Sequence, residues 1–313
     1  MITLIILGGI NMKTKIIPFL ISASLLSTSA YAYTDYEDTT ETRLLSALNI
    51  MTGYEDGSFK PDSKLTRSEA LKSIINMLGM RESAELSDAE KNQLDPLPYT
   101  DLDKSSWDWG YWNTANTLHI INGFDDGTAR PNDNVTYAQF IKMLVNAVGY
   151  EFYAESTGGY PNGYMMYGAR LGITGVTFAY HDFVTRKNAS ILLSNTLDAP
   201  LCIITEYQTN EIGESVPTYA ISDGSNGFTW CTLLEYQNIY KLDVTVQNVK
   251  DNTATVKVES TKNLQGKTYN SSDNKVIDIN LNGLSLSKGE TASILVKENT
   301  VDNTNSLDLI FIY

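Results

Sequence analysis

Gly53-Tyr-Glu-Asp-Gly-Ser-Phe-Lys-Pro61 occurs a second time, in conservative form, as Gly123-Phe-Asp-Asp-Gly-Thr-Ala-Arg-Pro131. Four of the nine positions are identical, four are close chemical substitutions, and only Phe59 differs strongly from its counterpart, Ala129. A match of this length indicates that the chain contains a duplicated structural unit.

Each phrase is expected to form a turn between two helices. Glycine tolerates backbone angles that a side chain forbids, and Asp-Gly is a strong turn signal. The closing proline cannot extend the preceding element. Beyond it, Thr66 with Glu69 and Thr136 with Gln139 have the spacing of a capping box at a helix start. Apolar residues at offsets of 4, 5, 8, 9 and 12 from each threonine then predict a helix with one buried face.

A third, degenerate copy of the unit is predicted at residues 151–200. Gly175 occupies the position of Gly53, although the Asp-Gly turn is missing. Thr185 and Arg186 restart the helical pattern, with apolar residues at offsets of 4, 8 and 12 from the threonine. The sequence therefore predicts three copies of one helical unit.

Residues 1–32 have the pattern of a secretory signal peptide. They hold two lysines, no acid and an apolar run that ends in small residues, and Met12 is the expected start. The apolar run is too short to span a membrane. A phrase shared by the first two copies, Tyr-Thr-Asp, begins at Tyr33 and again at Tyr99. Cleavage after Ala32 would begin the mature chain on that phrase, so we expect an exported protein without a membrane span.

The mature chain is expected to be strongly acidic. The full sequence has a formal net charge of -14, and loss of the two lysines in the leader makes it -16. Such a surface disfavours nucleic acid and anionic lipid as general partners. An anionic ligand would therefore need a local basic site.

Cys202 and Cys231 could form a disulfide, because such bonds persist in exported proteins. The alternative is a pair of small buried side chains. Neither cysteine has a second metal ligand close in sequence, and the Asp-rich turns lack the alternating acidic ligands of an EF-hand. Neither a metal site nor a cofactor is predicted.

A second domain is predicted at residues 201–313, where helical periodicity stops. Apolar residues then alternate with polar ones, the pattern of half-buried strands. The expected strands are residues 239–249, 253–260, 275–281, 291–297 and 307–312. These imply a small antiparallel β barrel or sandwich. Residues 81–98, rich in Glu, Asp, Ser and Pro, are expected to be a solvated linker insertion.

The repeats resemble those of a known family. The order Tyr-Thr-Asp, Trp, Gly-Phe-x-Asp-Gly-Thr, Pro and Leu-Thr-Arg-Ser-Glu is similar to the S-layer homology (SLH) repeat, found as three tandem copies in exported bacterial surface proteins. On this basis the copies span residues 33–80, 99–150 and 151–200. The resemblance implies an all-α, pseudo-threefold trefoil: each copy gives one helix to a central three-helix bundle, and helix-turn-helix prongs leave grooves between them.

The resemblance also implies a function. Such grooves bind a secondary cell-wall polysaccharide, typically through its pyruvylated terminal sugar, and so anchor the protein non-covalently to the wall. An arginine directly after a helix N-cap suits this ligand, because it places a planar cation beside unpaired backbone N–H groups. The candidate glycan-binding residues are Arg67, Arg186, Thr66, Glu69, Gly53, Asp56, Gly57, Trp107 and Asp126.

Each candidate also has a purely structural interpretation. Arg67 could be a solvated first-turn residue. Asp56 and Asp126 could serve only to form the turn. Trp107 could be a packing residue instead of a platform for a sugar.

The second copy differs from the other two at its helix start. Tyr137 stands where the other copies have Arg67 and Arg186, and Gln139 replaces the acid of the capping box. The groove of the second copy is therefore expected to have lost its charge, which leaves at most two competent sites.

Two other classes of function are weighed against wall anchoring. The chain could be an accessory or adhesin-like subunit whose β-domain recruits a protein or carbohydrate to the wall. An enzyme is the third alternative. His119 and His181 are the only histidines, no nucleophile motif accompanies them, and no pair of carboxylates stands out. The sequence therefore favours a non-catalytic surface protein.

Overall fold

The computed structural model describes residues 33–175, 179–209, 215–221, 231–262, 268–270, 275–301 and 304–313. The predicted signal peptide lies outside these residues. The described chain forms two compact units that divide between Leu233 and Leu234. The composition changes earlier, at Leu201, so the start of the β-domain there stays a prediction.

The first unit is mainly helical and ends in a β-hairpin. Its helices are α1 (Thr40–Ala47), α2 (Arg67–Met77), α3 (Arg81–Ala84), α4 (Asp88–Gln93), α5 (Trp109–Thr117), α6 (Tyr137–Ala147), α7 (Glu151–Ser156), α8 (Asn162–Arg170) and α9 (Arg186–Thr196). The hairpin pairs β1 (Cys202–Thr209) with β2 (Ser215–Ile221). None of the helices in the described part of the chain is long and apolar enough to cross a membrane.

Helices α2 and α6 begin with the predicted capping boxes. The Thr66 side chain accepts from the backbone N–H of Glu69, and the Glu69 carboxylate accepts from the N–H of Thr66 at 2.9 Å. Thr136 and Gln139 repeat this exchange. In α9 the Thr185 hydroxyl accepts from the backbone N–H of Asn188 in the same way. A threonine therefore caps the core helix in all three copies, and the reciprocal capping box is present in the first two.

A ring of three backbone hydrogen bonds joins the copies just before these helices. Leu65 N–H donates to Val184 O at 2.9 Å, Val184 N–H to Val135 O at 3.0 Å, and Val135 N–H to Leu65 O at 2.9 Å. The three side chains are at most 2% exposed. The ring gives each copy an equivalent neighbour, so the three copies are related by an approximate threefold arrangement of contacts.

The turn phrases owe their shape to short-range hydrogen bonds. Asp56 accepts from both the N–H and the hydroxyl of Ser58, at 2.9 and 2.5 Å, and Asp126 repeats this with Thr128 at 3.0 and 2.5 Å. Gly57 lies in the left-handed region at a φ of 79°, where a side chain is unfavourable. These bonds support a turn-forming role for Asp56 and Asp126.

The Tyr-Thr-Asp phrase packs against the turn of its own copy. A Cβ placed on Gly53 would lie 2.6 Å from a ring carbon of Tyr33, and the equivalent approach of Tyr99 to Gly123 would be 2.5 Å. Asp35 accepts from two backbone N–H groups at the far end of the first turn. The two phrases therefore form one structural motif, and the first glycine is required for the tyrosine to fit.

Residues 81–98 contain α3 and α4, where the sequence suggested only a solvated insertion. Ala84 is buried, and a Cβ on Gly110 of α5 would lie 1.9 Å from its carbonyl oxygen. The Lys91 ammonium donates to Ser106 O at 3.1 Å. The close backbone contact that a glycine permits holds this segment against α5.

Cys202 and Cys231 are not joined by a disulfide in this structure. The bridge between Pro200 and Thr232 is antiparallel, which sets Cys231 opposite Leu201. Burial raises the pKa of the Cys202 thiol to about 12, as expected for a buried, unreactive cysteine.

The second unit is β-rich, as the sequence predicts. After α10 (Leu233–Tyr236) come β3 (Ile239–Lys250), β4 (Thr253–Lys262), β5 (Thr268–Asn270), β6 (Val276–Asn280), β7 (Thr291–Val301) and β8 (Thr304–Ile312). The sheet order is β3-β7-β8-β6-β4-β5, and β3 also pairs with β4. The pairing of β6 with β8 is parallel, whereas an entirely antiparallel sheet was expected. Alternate valines such as Val244 and Val246 fill its core.

Breaking one bond of the ring should destabilise the helical unit. Val135→Pro removes the N–H that donates to Leu65 O, and leaving a buried carbonyl unpaired costs about 1–3 kcal/mol. Val135→Ala keeps that N–H and serves as the control for side-chain loss. We expect the proline variant to unfold at a clearly lower temperature in calorimetry; equal melting temperatures for the two variants would show that the ring bond contributes little.

The turn carboxylate of Asp126 should titrate well below its usual range. Hydrogen bonds from the Thr128 hydroxyl and from Arg130 lower its pKa to about 2. Since the folded-state pKa lies below the unfolded value, the stabilisation is present at neutral pH and is lost as the pH falls toward 2. Carbon-13 NMR titration should show the pKa rising in Thr128→Val and, to a smaller extent, in Arg130→Ala. An unchanged pKa in Thr128→Val would contradict this assignment.

Candidate functional site

The ring places the first residue of each core helix against the neighbouring copy. Arg67 N–H donates to Asp133 O of the second copy, Tyr137 N–H to Asp182 O of the third, and Arg186 N–H to Ser63 O of the first. Each candidate groove is therefore formed by two copies, with the first-turn side chain supplied by one and the turn phrase by the next.

Arg67 is the most deeply buried of the candidate site residues. Its side chain is 3% exposed and its Nε donates to Ala129 O at 2.9 Å. The guanidinium carbon lies 4.8 Å from the ring centroid of Phe124 and 5.7 Å from that of Trp112. The second copy thus holds the guanidinium between a backbone carbonyl and two aromatic rings.

Burial lowers the pKa of Arg67 to about 10, partly opposed by the nearby negative charge of Asp133. The group therefore remains a cation at neutral pH. Within the described chain the Nε bond is its one side-chain hydrogen bond to protein, and no carboxylate forms an ion pair with it. A buried charge is normally paired or hydrogen-bonded, and the two terminal nitrogens have no assigned acceptor among the described residues.

A cavity of about 160 Å³ opens beside this guanidinium. The first copy contributes Arg67, the second copy contributes most of the wall, and the third contributes Tyr160. The remaining lining residues are Ile120, Ile121, Asn122, Gly123, Phe124, Gln139, Lys142 and Met143. Among these described lining residues, two side chains are cationic and none is acidic.

Arg186 makes more contacts to protein than Arg67 does. Its Nε donates to Phe59 O at 2.7 Å and its Nη2 to Thr52 O at 2.8 Å. The guanidinium lies 4.7 Å from the ring centroid of Tyr54, and the side chain is partly exposed. Arg186 therefore braces the turn of the first copy and has less free hydrogen-bonding capacity.

Tyr137 and Gln139 do not belong to one groove, and the expectation that they share a site is wrong. Tyr137 is 2% exposed and meets the third copy through Asp182 O. Gln139 lines the cavity of Arg67. The first helical residue reaches the neighbouring copy, whereas the third residue faces the turn of its own copy. The substitution at Gln139 therefore alters the Arg67 cavity.

Most of the other sequence candidates support the scaffold. Thr66 and Glu69 are used by the capping box, and Asp56 and Asp126 by the turns. None of these four lines the Arg67 cavity, and neither do Gly53 and Gly57. These residues therefore shape the helix starts and turns of the repeat.

Trp107 lies apart from the Arg67 cavity, next to a lysine. Its ring is 56% exposed, and the Lys72 ammonium is 5.5 Å from the ring centroid. An equivalent pair stands one copy further on, where Lys142 is 5.9 Å from the ring of the exposed Tyr160. Sequence reasoning missed both lysines, although Lys72 and Lys142 share one offset from their capping threonines.

Comparison with known proteins agrees with this architecture. The S-layer homology domain family matches residues 43–71 and 98–141. The chain is 28% identical over 211 residues to the middle cell wall protein of Brevibacillus brevis, covering 64% of this chain and 19% of the relative. It is 30% identical over 172 residues to the surface layer protein of Brevibacillus choshinensis, covering 52% and 15%.

A third relative carries the name of an enzyme, an endoglucanase of a Bacillus species. It is 26% identical over 160 residues, covering 47% of this chain and 17% of that protein. The chain thus spans less than a fifth of the length of each of these relatives. The family match lies at residues 43–71 and 98–141, in the first two copies of the repeat, so we conclude that this part of the chain is an S-layer homology domain.

Proposed function

We propose that the chain is a non-catalytic surface protein that is anchored to the bacterial wall by an anionic polysaccharide. The ligand binds in the grooves between the three repeats, which form a trefoil. The observation that carries this proposal is the buried guanidinium of Arg67, which lines a cavity that has no acidic residue among its described lining residues. Location at the cell wall or surface is indicated by the SLH domain and by the relatives.

The net charge argues for a specific anion site. A chain with a formal net charge of -14 repels anionic polymers at long range. Binding must then come from a local cation that is partly shielded from water, where a charge-assisted hydrogen bond is stronger. Arg67 meets this condition because burial removes most of its water.

The size of the cavity favours a terminal substituent of the glycan. A volume of about 160 Å³ accommodates a carboxylate and part of one sugar ring but not an extended polymer. A pyruvyl ketal carries a carboxylate at such a position. Tyr160, which is half exposed, supplies an aromatic ring against which the apolar side of a sugar ring can pack.

The relative named as an endoglucanase does not alter this conclusion. The match covers 17% of that protein, and the activity of a long protein can reside in any other part of it. The non-catalytic assignment rests on the surface-protein relatives and on a cavity whose titratable side chains are cations and one tyrosine.

Removing the Arg67 charge should strongly weaken wall binding without unfolding the protein. Arg67→Met keeps a long apolar stem in the buried space, and it relieves the desolvation of a charge that has no carboxylate partner. We expect little binding to sacculi of the source bacterium in a sedimentation assay, and a melting temperature within a few degrees of wild type. Arg170→Ala removes an exposed charge and is the matched control.

Two outcomes of this assay would contradict the proposal. Wild-type protein that sediments equally with sacculi stripped of their wall polysaccharide does not use that ligand. Arg67→Met that binds as well as Arg170→Ala shows that the buried guanidinium is not the anion site.

Arg186→Met should affect stability as well as binding. This change removes two hydrogen bonds from a charged donor to carbonyls of the first turn. We expect it to lower the free energy of unfolding by about 1–3 kcal/mol and to weaken binding less than Arg67→Met. Chemical denaturation and the same sedimentation assay measure both quantities; a stability equal to wild type would contradict the bracing role.

A further inference from the structure

Of the two polar atoms in the Gln139 side-chain amide, only the oxygen has a hydrogen-bond partner among the described residues. Its Oε1 accepts from Thr136 N–H at 3.0 Å in the capping box. This bond fixes the orientation of the amide, since a backbone donor requires the oxygen. The Nε2 group has no protein acceptor among the described residues, and the side chain lines the Arg67 cavity.

The equivalent residue in the first copy shows what the amide changes. Glu69 uses Oε2 to accept from Thr66 N–H at 2.9 Å, which leaves a second, negatively charged oxygen. A glutamate at position 139 would cap α6 equally well but would put that negative oxygen beside the cavity. With Gln139 the same place holds an N–H₂ donor.

The neighbouring cation is already partly neutralised. The Lys142 ammonium lies 3.8 Å from the Glu155 carboxylate, and Glu155 also accepts from the Tyr164 hydroxyl at 2.6 Å. Arg67 and Gln139 both line the cavity and both have side-chain donors without an assigned protein acceptor in the described chain, as do Asn122 and Tyr160.

We propose that Gln139 Nε2 donates to the ligand carboxylate together with Arg67, and that this amide makes the cavity selective for the ionised acid. The inference rests on the proposed function. The sequence suggested that glutamine at position 139 removes a charge from the second copy. In this proposal the same glutamine instead supplies a hydrogen-bond donor to the ligand.

The test is calorimetric binding of two small probes to the full chain. One probe is a methyl glycoside that carries a pyruvate ketal, and the other is the methyl ester of the same compound. Gln139→Glu keeps the capping box and adds one negative charge. We expect it to weaken binding of the acid about tenfold or more, to leave binding of the ester unchanged, and to leave the melting temperature unchanged.

Two further variants make the result interpretable. Arg67→Met identifies the part of the binding that belongs to this cavity. Gln93→Glu adds the same charge at an exposed position on α4, and it should bind both probes as wild type does.

The outcomes separate the two proposals. If wild type binds the acid and Gln139→Glu binds it equally well, the role of Gln139 is wrong while the proposed function stands. Equal weakening for acid and ester would assign Gln139 a structural role only and would also overturn the inference. If wild type binds neither probe, the pyruvylated ligand is wrong, and the inference fails with it.

Discussion

The ring of backbone hydrogen bonds through Leu65, Val184 and Val135 is the constraint on which the helical unit depends. Each bond joins a different pair of copies, so each copy has backbone groups that are paired only through a neighbouring copy. The ring also fixes where each core helix begins relative to the next turn. The first-turn side chain of one copy is thereby placed against the turn of its neighbour. Each candidate site is therefore formed by residues of two neighbouring copies, so its residues cannot be identified from the sequence of one repeat alone.

Local patterns predicted much of this architecture. The capping boxes, the turns, the five longest strands of the second unit and the third helix start are all encoded by residues close together in sequence. The grouping of residues into grooves could not be predicted in this way. The sequence places Tyr137 and Gln139 together at the helix start of the second copy, but Tyr137 bonds to the third copy and Gln139 lines the Arg67 cavity. Lys142 and Tyr160 belong to the cavity through the same long-range arrangement.

The structure separates residues that build the repeat from residues that are available to a ligand. The aspartates and glycines of the turn phrase, which make the repeat visible in the sequence, are used by local hydrogen bonds and close packing. Arg67 and Gln139 instead leave donor groups unused by the described protein. A buried guanidinium without a carboxylate partner opposes folding, and a bound anion would offset that penalty. This difference explains why the turn and the site can change independently between copies: the second copy keeps its turn without an arginine at the helix start, and the third keeps Arg186 without the Asp-Gly turn.

A crystal structure of the full chain with a pyruvylated methyl glycoside would show directly whether Arg67 is the anion site. We expect one carboxylate within about 3 Å of the Arg67 terminal nitrogens, in contact with Gln139 and with residues of the second copy. A carboxylate bound at another position, with the Arg67 cavity empty at saturating ligand, would contradict it.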